Sequence, residues 1–353
     1  MLTSARFSGT EPLIAERTAL SCALLYTALY VAPFYLSSTL RSTPLRSRDA
    51  PTVIQARVRA VGLTCVACTI IAVYTVVLHG HGSAKDAARL LGIWPCRPLD
   101  ILKVLGLVAV LFVGPLYESI VVDGDWRDWS FPTFKEAIFD SWTGYRNLLI
   151  APSSEELVFR STTISVYLLA RVEPARIVFL TPLVFGLAHI HHMVEFLQSH
   201  TPPDRRLPPP NAWIAGIVRT LFQFTYTSLF GFFAAFVYLR TGNLFACIAA
   251  HIFCNWQGVP RMYGRVGQYI EYQPIHVTPD VAQGKRNEDD IAAVKVGNDL
   301  MQGKRETLSP AVGPQNLGIW WTVVYYALIF GGAYGFYELL WPLTESSNAL
   351  AQL

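Results

Sequence analysis

The sequence predicts an all-α integral membrane protein. Of its 353 residues, 52% are hydrophobic and only 15% are charged, and the mean hydropathy is +0.34. Soluble domains carry roughly 25% charged residues, so this deficit indicates a chain that lies largely in lipid. Apolar segments recur from residue 19 to residue 341, which favours one polytopic membrane domain over two soluble ones.

Eight segments are predicted to cross the membrane, because a transmembrane helix needs about 20 mostly apolar residues. They lie near residues 19–38, 60–79, 101–122, 148–170, 175–197, 212–239, 243–258 and 317–341. The segment at 243–258 is short and suits a partial or broken helix. A long polar connection, 259–316, precedes the last span, and part of it is predicted to be mobile.

Charge in the first loop predicts the orientation. Residues 40–59 contain one acid and five arginines, which are Arg41, Arg46, Arg48, Arg57 and Arg59. The positive-inside rule places such a loop in the cytosol. By alternation, the start of the fourth span and the ends of the fifth and seventh lie on that same side. The net charge of +3 is small and spread out, so membrane lipid is an expected partner and nucleic acid is not.

Candidate catalytic side chains lie in three of the predicted spans. Glu155 and Glu156 lie in the first turns of the fourth, His189 near the end of the fifth, and His251 with Asn255 near the end of the seventh. Their shared side and similar depth predict that they converge. Polar groups inside a membrane are expensive and usually functional, so together they favour an active site.

Spacing within the helices pairs these groups. Glu156 and Arg160 stand at i and i+4 and share a helix face, where an ion pair can form. Glu155 is turned about 100° from Glu156, so it points elsewhere. The i, i+4 spacing also places Phe185 beside His189. One glutamate is therefore expected to be held in an ion pair while its neighbour faces a cavity. Taken singly, each group also has a structural interpretation, such as a hydrogen bond between helices.

Three motifs carry a family resemblance. They are Glu-Glu-x-x-x-Arg at Glu155, Glu156 and Arg160, Phe-x-x-x-His at Phe185 and His189, and His-x-x-x-Asn at His251 and Asn255. In this order, and in a chain with this hydropathy, they resemble the type II CAAX prenyl endopeptidases. These are the Ras-converting enzymes of the endoplasmic reticulum, within the CAAX protease and bacteriocin-processing superfamily.

The resemblance implies an endopeptidase that removes the last three residues, aaX, from farnesylated or geranylgeranylated CAAX proteins such as small Ras-like GTPases. It implies a multi-pass protein of the endoplasmic reticulum membrane whose cavity and active site open to the cytosol. Residues 1–353 would form a single protease domain, with a catalytic core at about 148–258, the polar loop at 259–316 and a last helix at 317–341.

The resemblance also implies roles for the residues of the site. Glu155 would activate water with His189 as its partner, and His251 and Asn255 would bind the oxyanion. The supporting residues would be Glu156, Arg160 and Phe185. No cofactor is expected from this mechanism.

Two alternatives remain at this point. Glu155, His189 and His251 are residue types that bind catalytic zinc, although the chain has no His-Glu-x-x-His motif. The same polar groups would also suit a transporter or an inactive membrane scaffold. A transporter is expected to show two similar halves with paired broken helices, and the sequence shows no such repeat.

Overall fold

The described residues of the protein form a helical bundle. The computed structural model describes residues 11–37, 39–40, 48–201, 205–267 and 317–353, and these contain no β-strand. The all-α prediction is confirmed for this part of the chain. Most of the predicted mobile connection, residues 268–316, lies outside the described residues. In chain order the helices are α1 (Glu16–Leu36), α2 (Pro51–His79), α3 (Ala84–Leu90), α4 (Pro98–Leu111), α5 (Val113–Val122), α6 (Phe131–Phe139), α7 (142–169), α8 (Pro174–Ala188), α9 (His191–Ser199), α10 (Pro210–Thr241), α11 (Leu244–Gln257) and α12 (Ile319–Thr344).

Five helices in the described ranges are long and apolar enough to cross a membrane. They are α1, α2, the consecutive pair α8–α9, α10 and α12, and the bent pair α4–α5 brings the number to six. The other two predicted spans correspond to α7 and α11. α11 has 14 residues, about 21 Å of helix, which is shorter than the roughly 30 Å of hydrocarbon in a bilayer. α7 carries Glu155, Glu156 and Arg160, which lower its apolar content.

The predicted span at 101–122 is bent by 78° between α4 and α5. Pro115 lies just after the break. Proline has no backbone N–H and its ring clashes with the carbonyl four residues earlier, which is that of Leu111, where α4 ends. The bend therefore has a cause that is visible in the sequence.

α7 is the central helix of the bundle. Every residue from 158 to 170 is buried. Polar side chains fix its position: the Ser161 hydroxyl donates to the Leu91 carbonyl at 2.7 Å, and that of Ser165 donates to the Leu90 carbonyl at 2.7 Å. Helices α1, α2, α8, α10 and α11 contact it. The two glutamates at the start of α7 are consequently enclosed by neighbouring helices.

A tight turn between α10 and α11 returns the chain to α7. Gly242 ends α10 in the left-handed region at φ +57°, a conformation that glycine adopts without steric cost. The Asn243 side chain then caps α11 by accepting hydrogen bonds from the backbone N–H groups of Phe245 and Ala246. This turn brings the histidine of α11 to the glutamates of α7.

Candidate active site

The two adjacent glutamates of α7 point in different directions. Glu156 is completely buried, whereas the Glu155 side chain is 16% exposed and lines an internal cavity. Stretches of π-helix lie on either side of them, at Arg146–Ile150 and Leu157–Thr162. Single turns of π-helix often occur at functional sites. The structure therefore separates a buried glutamate from one that has access to the cavity.

The buried Glu156 is held by a cation and an imidazole. Its Oε1 lies 3.2 Å from Nη1 of Arg160 and 2.8 Å from Nδ1 of His251. The Arg160 guanidinium stacks on the Phe185 ring at 4.3 Å and lies 5.5 Å from the Phe230 ring. Such cation–π contacts are strongest where water is excluded. The ion pair predicted from the i, i+4 spacing is thus present, and two aromatic rings shield it.

His251 links both glutamates. Its Nδ1 contacts Glu156, and its Nε2 lies 3.9 Å from Oε2 of Glu155. The imidazole also packs on the Phe230 ring, with a centroid separation of 4.5 Å. Because a carboxylate only accepts hydrogen bonds, Nδ1–H donates to Glu156 when that group is ionised. Nε2 is then directed toward the reactive side of the site.

His189 lies at the end of α8, on the wall of the same cavity as Glu155. Its Nδ1 lies 2.8 Å from the backbone carbonyl oxygen of Phe185, and the two rings meet edge to face at 4.6 Å. Since a carbonyl only accepts, this hydrogen bond places the proton on Nδ1. In the neutral imidazole Nε2 therefore has a free lone pair that can accept a hydrogen bond from water.

Asn255 lies one helical turn beyond His251 and is exposed. Its side-chain amide donates to the Asn147 carbonyl oxygen at 3.0 Å, and Asn147 lines the cavity. Of the four residues predicted to be catalytic, Glu155 and His189 line the cavity, His251 contacts both glutamates, and Asn255 is bonded to the cavity-lining residue Asn147.

The cavity has a volume of about 170 Å³ and is lined by α1, α2, α7 and the segment that joins α8 to α9. Its wall also includes charged and imidazole side chains that lie outside the three motifs. They are Arg48, Arg57, Arg146, His191 and His192. Two of these arginines were visible in the sequence as part of the positive first loop, but only as a charge count, because no spacing rule connects that loop to α7.

One group of side chains in the described residues is compact enough to hold a metal ion. The donor atoms of His191, His192 and Glu195 lie within 4.8 Å of one another. However, Nη2 of Arg57 contacts Oε1 of Glu195 at 2.5 Å, and Nδ1 of His192 contacts Oε2 at 3.1 Å. Donors that are already paired with cations and with one another fit a hydrogen-bonded network better than a cation site. Glu155, His189 and His251, the residues of the zinc alternative, do not form such a group.

Fold and site together define a class of protein: a polytopic helical membrane protein with carboxylates and imidazoles around an internal cavity, as expected of an intramembrane hydrolase. The family model described as "Type II CAAX prenyl endopeptidase Rce1-like" matches residues 137–257. That range contains every residue of the three motifs.

Similarity to individual proteins extends further along the chain. A probable CAAX prenyl protease 2 of Schizosaccharomyces pombe is 35% identical over 242 residues, which is 69% of this chain and 81% of the relative. CAAX prenyl protease 2 of Saccharomyces cerevisiae is 28% identical over 67% of this chain and 79% of its own length. The Homo sapiens protein of that name is 35% identical over 49% of this chain and 50% of its own length. No solved structure matches the chain significantly.

The chain belongs to the type II CAAX prenyl endopeptidase family. It is therefore a protease, and the transporter and scaffold alternatives are discarded. The five or six apolar helices make it a multi-pass membrane protein.

Proposed function

We propose that this protein removes the C-terminal aaX tripeptide from CAAX proteins that carry a farnesyl or geranylgeranyl group on the cysteine. The observation that carries the proposal is the placement of Glu155 and His189 on the wall of one cavity. CAAX prenyl protease 2 relatives support the substrate class. Small Ras-like GTPases are proposed as the natural substrates.

The proposed reaction is attack of a water molecule on the peptide bond that follows the prenylated cysteine. Glu155 takes the proton of the water, and Nε2 of His189 accepts a hydrogen bond that orients it. A proton must then reach the leaving amine, and protonated Glu155 supplies it. General base and acid catalysis of this kind typically contributes 10²–10⁴-fold to a rate.

The tetrahedral oxyanion needs hydrogen-bond donors, and His251 and Asn255 are proposed for this role. His251 contributes Nε2–H in its imidazolium form, because its Nδ1–H donates to the Glu156 carboxylate and both ring nitrogens must then carry a proton. Asn255 contributes its amide, which in the structure donates to the Asn147 carbonyl on the cavity wall. Substrate would have to displace that bond. Glu156 and Arg160 act as positioning residues that hold the His251 ring and the first turns of α7 in place.

Membrane placement completes the proposal. The prenyl chain gains about 0.8 kcal/mol for each CH₂ that is buried in an apolar environment, so it favours lateral entry from lipid. We place the protein in the endoplasmic reticulum membrane with eight spans and with the cavity open to the cytosol. The arginines of the first loop support this side, because Arg48 and Arg57 line the cavity and positive loops are typically cytosolic.

The mechanism is proposed to require no metal. Among the described residues, the donor atoms of Glu155, His189 and His251 do not form a group compact enough to hold an ion. A zinc protease normally uses three protein ligands with one open position. The zinc mechanism remains the second candidate, on the ground that the residue types of the site are compatible with zinc.

The experiment that tests the function is cleavage of a farnesylated CAAX peptide by membranes that contain the wild-type chain. Glu155→Ala at equal expression is the inactive comparison, and Glu136→Gln, an exposed glutamate on α6, is the matched control. Unprenylated peptide tests the specificity. Release of the tripeptide by wild type and Glu136→Gln alone is the expected result. If folded wild-type protein cleaves none of several prenylated peptides, the proposal is wrong.

A further inference from the structure

One face of α7 forms a continuous wall of the cavity. The residues of this face are Arg146, Asn147, Ile150, Ala151, Ser154 and Glu155. Their positions repeat at i, i+1, i+4, i+5, i+8 and i+9, which is the spacing of a single helix face. Arg146 and Glu155 mark the two ends of this wall. Glu155 lies nine positions after Arg146, which corresponds to at most about 13 Å of helix rise, because Arg146–Ile150 is π-helical and rises less per residue than an α-helix.

The end of the cavity away from Glu155 is rich in arginine. Arg48, Arg57 and Arg146, here named the arginine cluster, all line it. Two carboxylates form ion pairs with the cluster. Oδ1 of Asp49 lies 2.6 Å from Nη1 of Arg146, and Oε1 of Glu195 lies 2.5 Å from Nη2 of Arg57. Neither carboxylate is on the cavity wall. The surface that a ligand meets at this end is therefore cationic.

Arg146 retains an unused donor. Its Nη2 atom is buried and has no hydrogen-bond partner among the described residues. The Nε atom of the same guanidinium donates to the Asn147 side chain at 2.9 Å, which fixes the plane of the group. A buried donor without a partner costs free energy, and it is satisfied when an anion binds beside it.

We propose that the arginine cluster binds the C-terminal carboxylate of the substrate, with Arg146 as the principal donor. The inference rests on the proposed function, since a CAAX sequence ends the chain and its last residue therefore carries a free carboxylate. Arginine is the side chain best suited to this task, because its planar fork matches the two oxygens of a carboxylate.

The distances along the wall agree with this assignment. Three extended residues span about 10 Å, which is the separation between the bond that is cut and the end of the aaX tripeptide. The wall from Glu155 to Arg146 offers at most about 13 Å of helix rise, and both side chains line the cavity. Anchoring the carboxylate at Arg146 therefore places the third peptide bond from the end near Glu155.

The charge of the cavity also fixes the direction of the substrate. Glu155 at the opposite end repels a carboxylate, while the arginine cluster attracts it. A peptide bound in reverse would place its negative terminus against Glu155. The cluster consequently acts as a specificity determinant: it measures three residues from the C-terminus and selects chains that end there.

The test compares a farnesylated CAAX peptide that has a free C-terminal carboxylate with the same peptide as a C-terminal amide. For wild type, kcat/KM is expected to be at least about 30-fold higher for the acid, because losing one partner of a desolvated charge pair has an effect of that size or larger. Arg146→Gln is expected to lose the preference for the acid, so that its kcat/KM values for the two peptides become equal. Arg59→Gln, on an exposed position of α2 two residues beyond Arg57, is the matched control and keeps the preference.

Cleavage of the amide by Arg146→Gln also reports that the variant is folded. If that variant does not fold, Arg48→Gln replaces it, because the Arg48 side chain is 34% exposed and depends less on packing. The inference is overturned if wild type cleaves acid and amide equally, or if a folded arginine-cluster variant retains the full preference. Failure of wild type to cleave either peptide would instead contradict the proposed function itself.

Discussion

His251 Nδ1 lies 2.8 Å from Oε1 of Glu156, although the two residues are 95 positions apart in the chain. This contact joins α11 to the central helix α7. It also involves the carboxylate that pairs with Arg160, so an imidazole, a carboxylate and a guanidinium form one buried unit. Glu155, next to it in sequence, is left free to face the cavity.

Substitution of Glu156 is expected to lower the stability of the protein, whereas substitution of Glu155 is expected to lower its activity. Glu156→Gln removes the charge that compensates the buried Arg160, and breaking a buried ion pair typically costs about 3–5 kcal/mol. The variant should unfold at a clearly lower temperature in detergent. Glu155→Gln should keep a wild-type melting temperature while kcat falls by at least about 10²-fold. Thermal unfolding and peptide cleavage on the same preparations check both statements, and equal melting temperatures for the two variants would contradict the assignment.

His251→Ala should lower kcat, with little change in KM. Removing one oxyanion donor typically costs about 10²–10³ in kcat, and donors of this kind act on the transition state rather than on bound substrate. Steady-state kinetics with a farnesylated CAAX peptide show whether the substitution changes kcat or KM. Asn255→Ala is expected to show the same pattern. A rise in KM at constant kcat would assign these residues to substrate binding instead.

Metal removal should leave the activity unchanged. Dialysis against a chelator, followed by metal analysis and a cleavage assay, is expected to give a metal-free protein with wild-type kcat/KM. Loss of activity on dialysis, recovered by stoichiometric zinc, would replace the glutamate mechanism by a metalloprotease mechanism. His192→Ala is the control for zinc binding, because His192 belongs to the only compact donor group in the described ranges. The metal content of this variant should equal that of the wild-type protein.

Gly231→Ala should destabilise the protein. A Cβ atom at this position of α10 would lie 2.5 Å from Cβ of Pro182 in α8 and 3.4 Å from Nη2 of Arg160. Overpacking of this kind typically costs about 1–3 kcal/mol, and here it also disturbs the guanidinium beside the active site. Gly331→Ala in α12 is the matched control, since nothing lies within 4 Å of its Cβ position. Thermal unfolding of both variants tests the contrast, and an unchanged melting temperature for Gly231→Ala would show that the two helices can separate at no cost.

Local spacing predicted the contacts that lie within one helix. Glu156 pairs with Arg160 and Phe185 contacts His189 because the helical repeat alone places i and i+4 on one face. Composition predicted the all-α membrane class for a similar reason. The apolar content of a segment is a local property that does not depend on which other segments it contacts. The bend after Leu111 follows from Pro115, a residue whose effect on helix direction is not visible in the apolar content of the segment.

The sequence by itself determined the helical class, the family motifs and which pairs share a helix face. Only the tertiary structure decided that His251 pairs with Glu156, that Asn255 bonds to Asn147, and that Arg146 and the first-loop arginines meet in one cavity. These contacts join segments far apart in the chain. Their geometry depends on how helices pack, on the turn at Gly242 and on the close approach at Gly231. No periodicity within a single segment encodes such distances, so they follow only from the folded bundle.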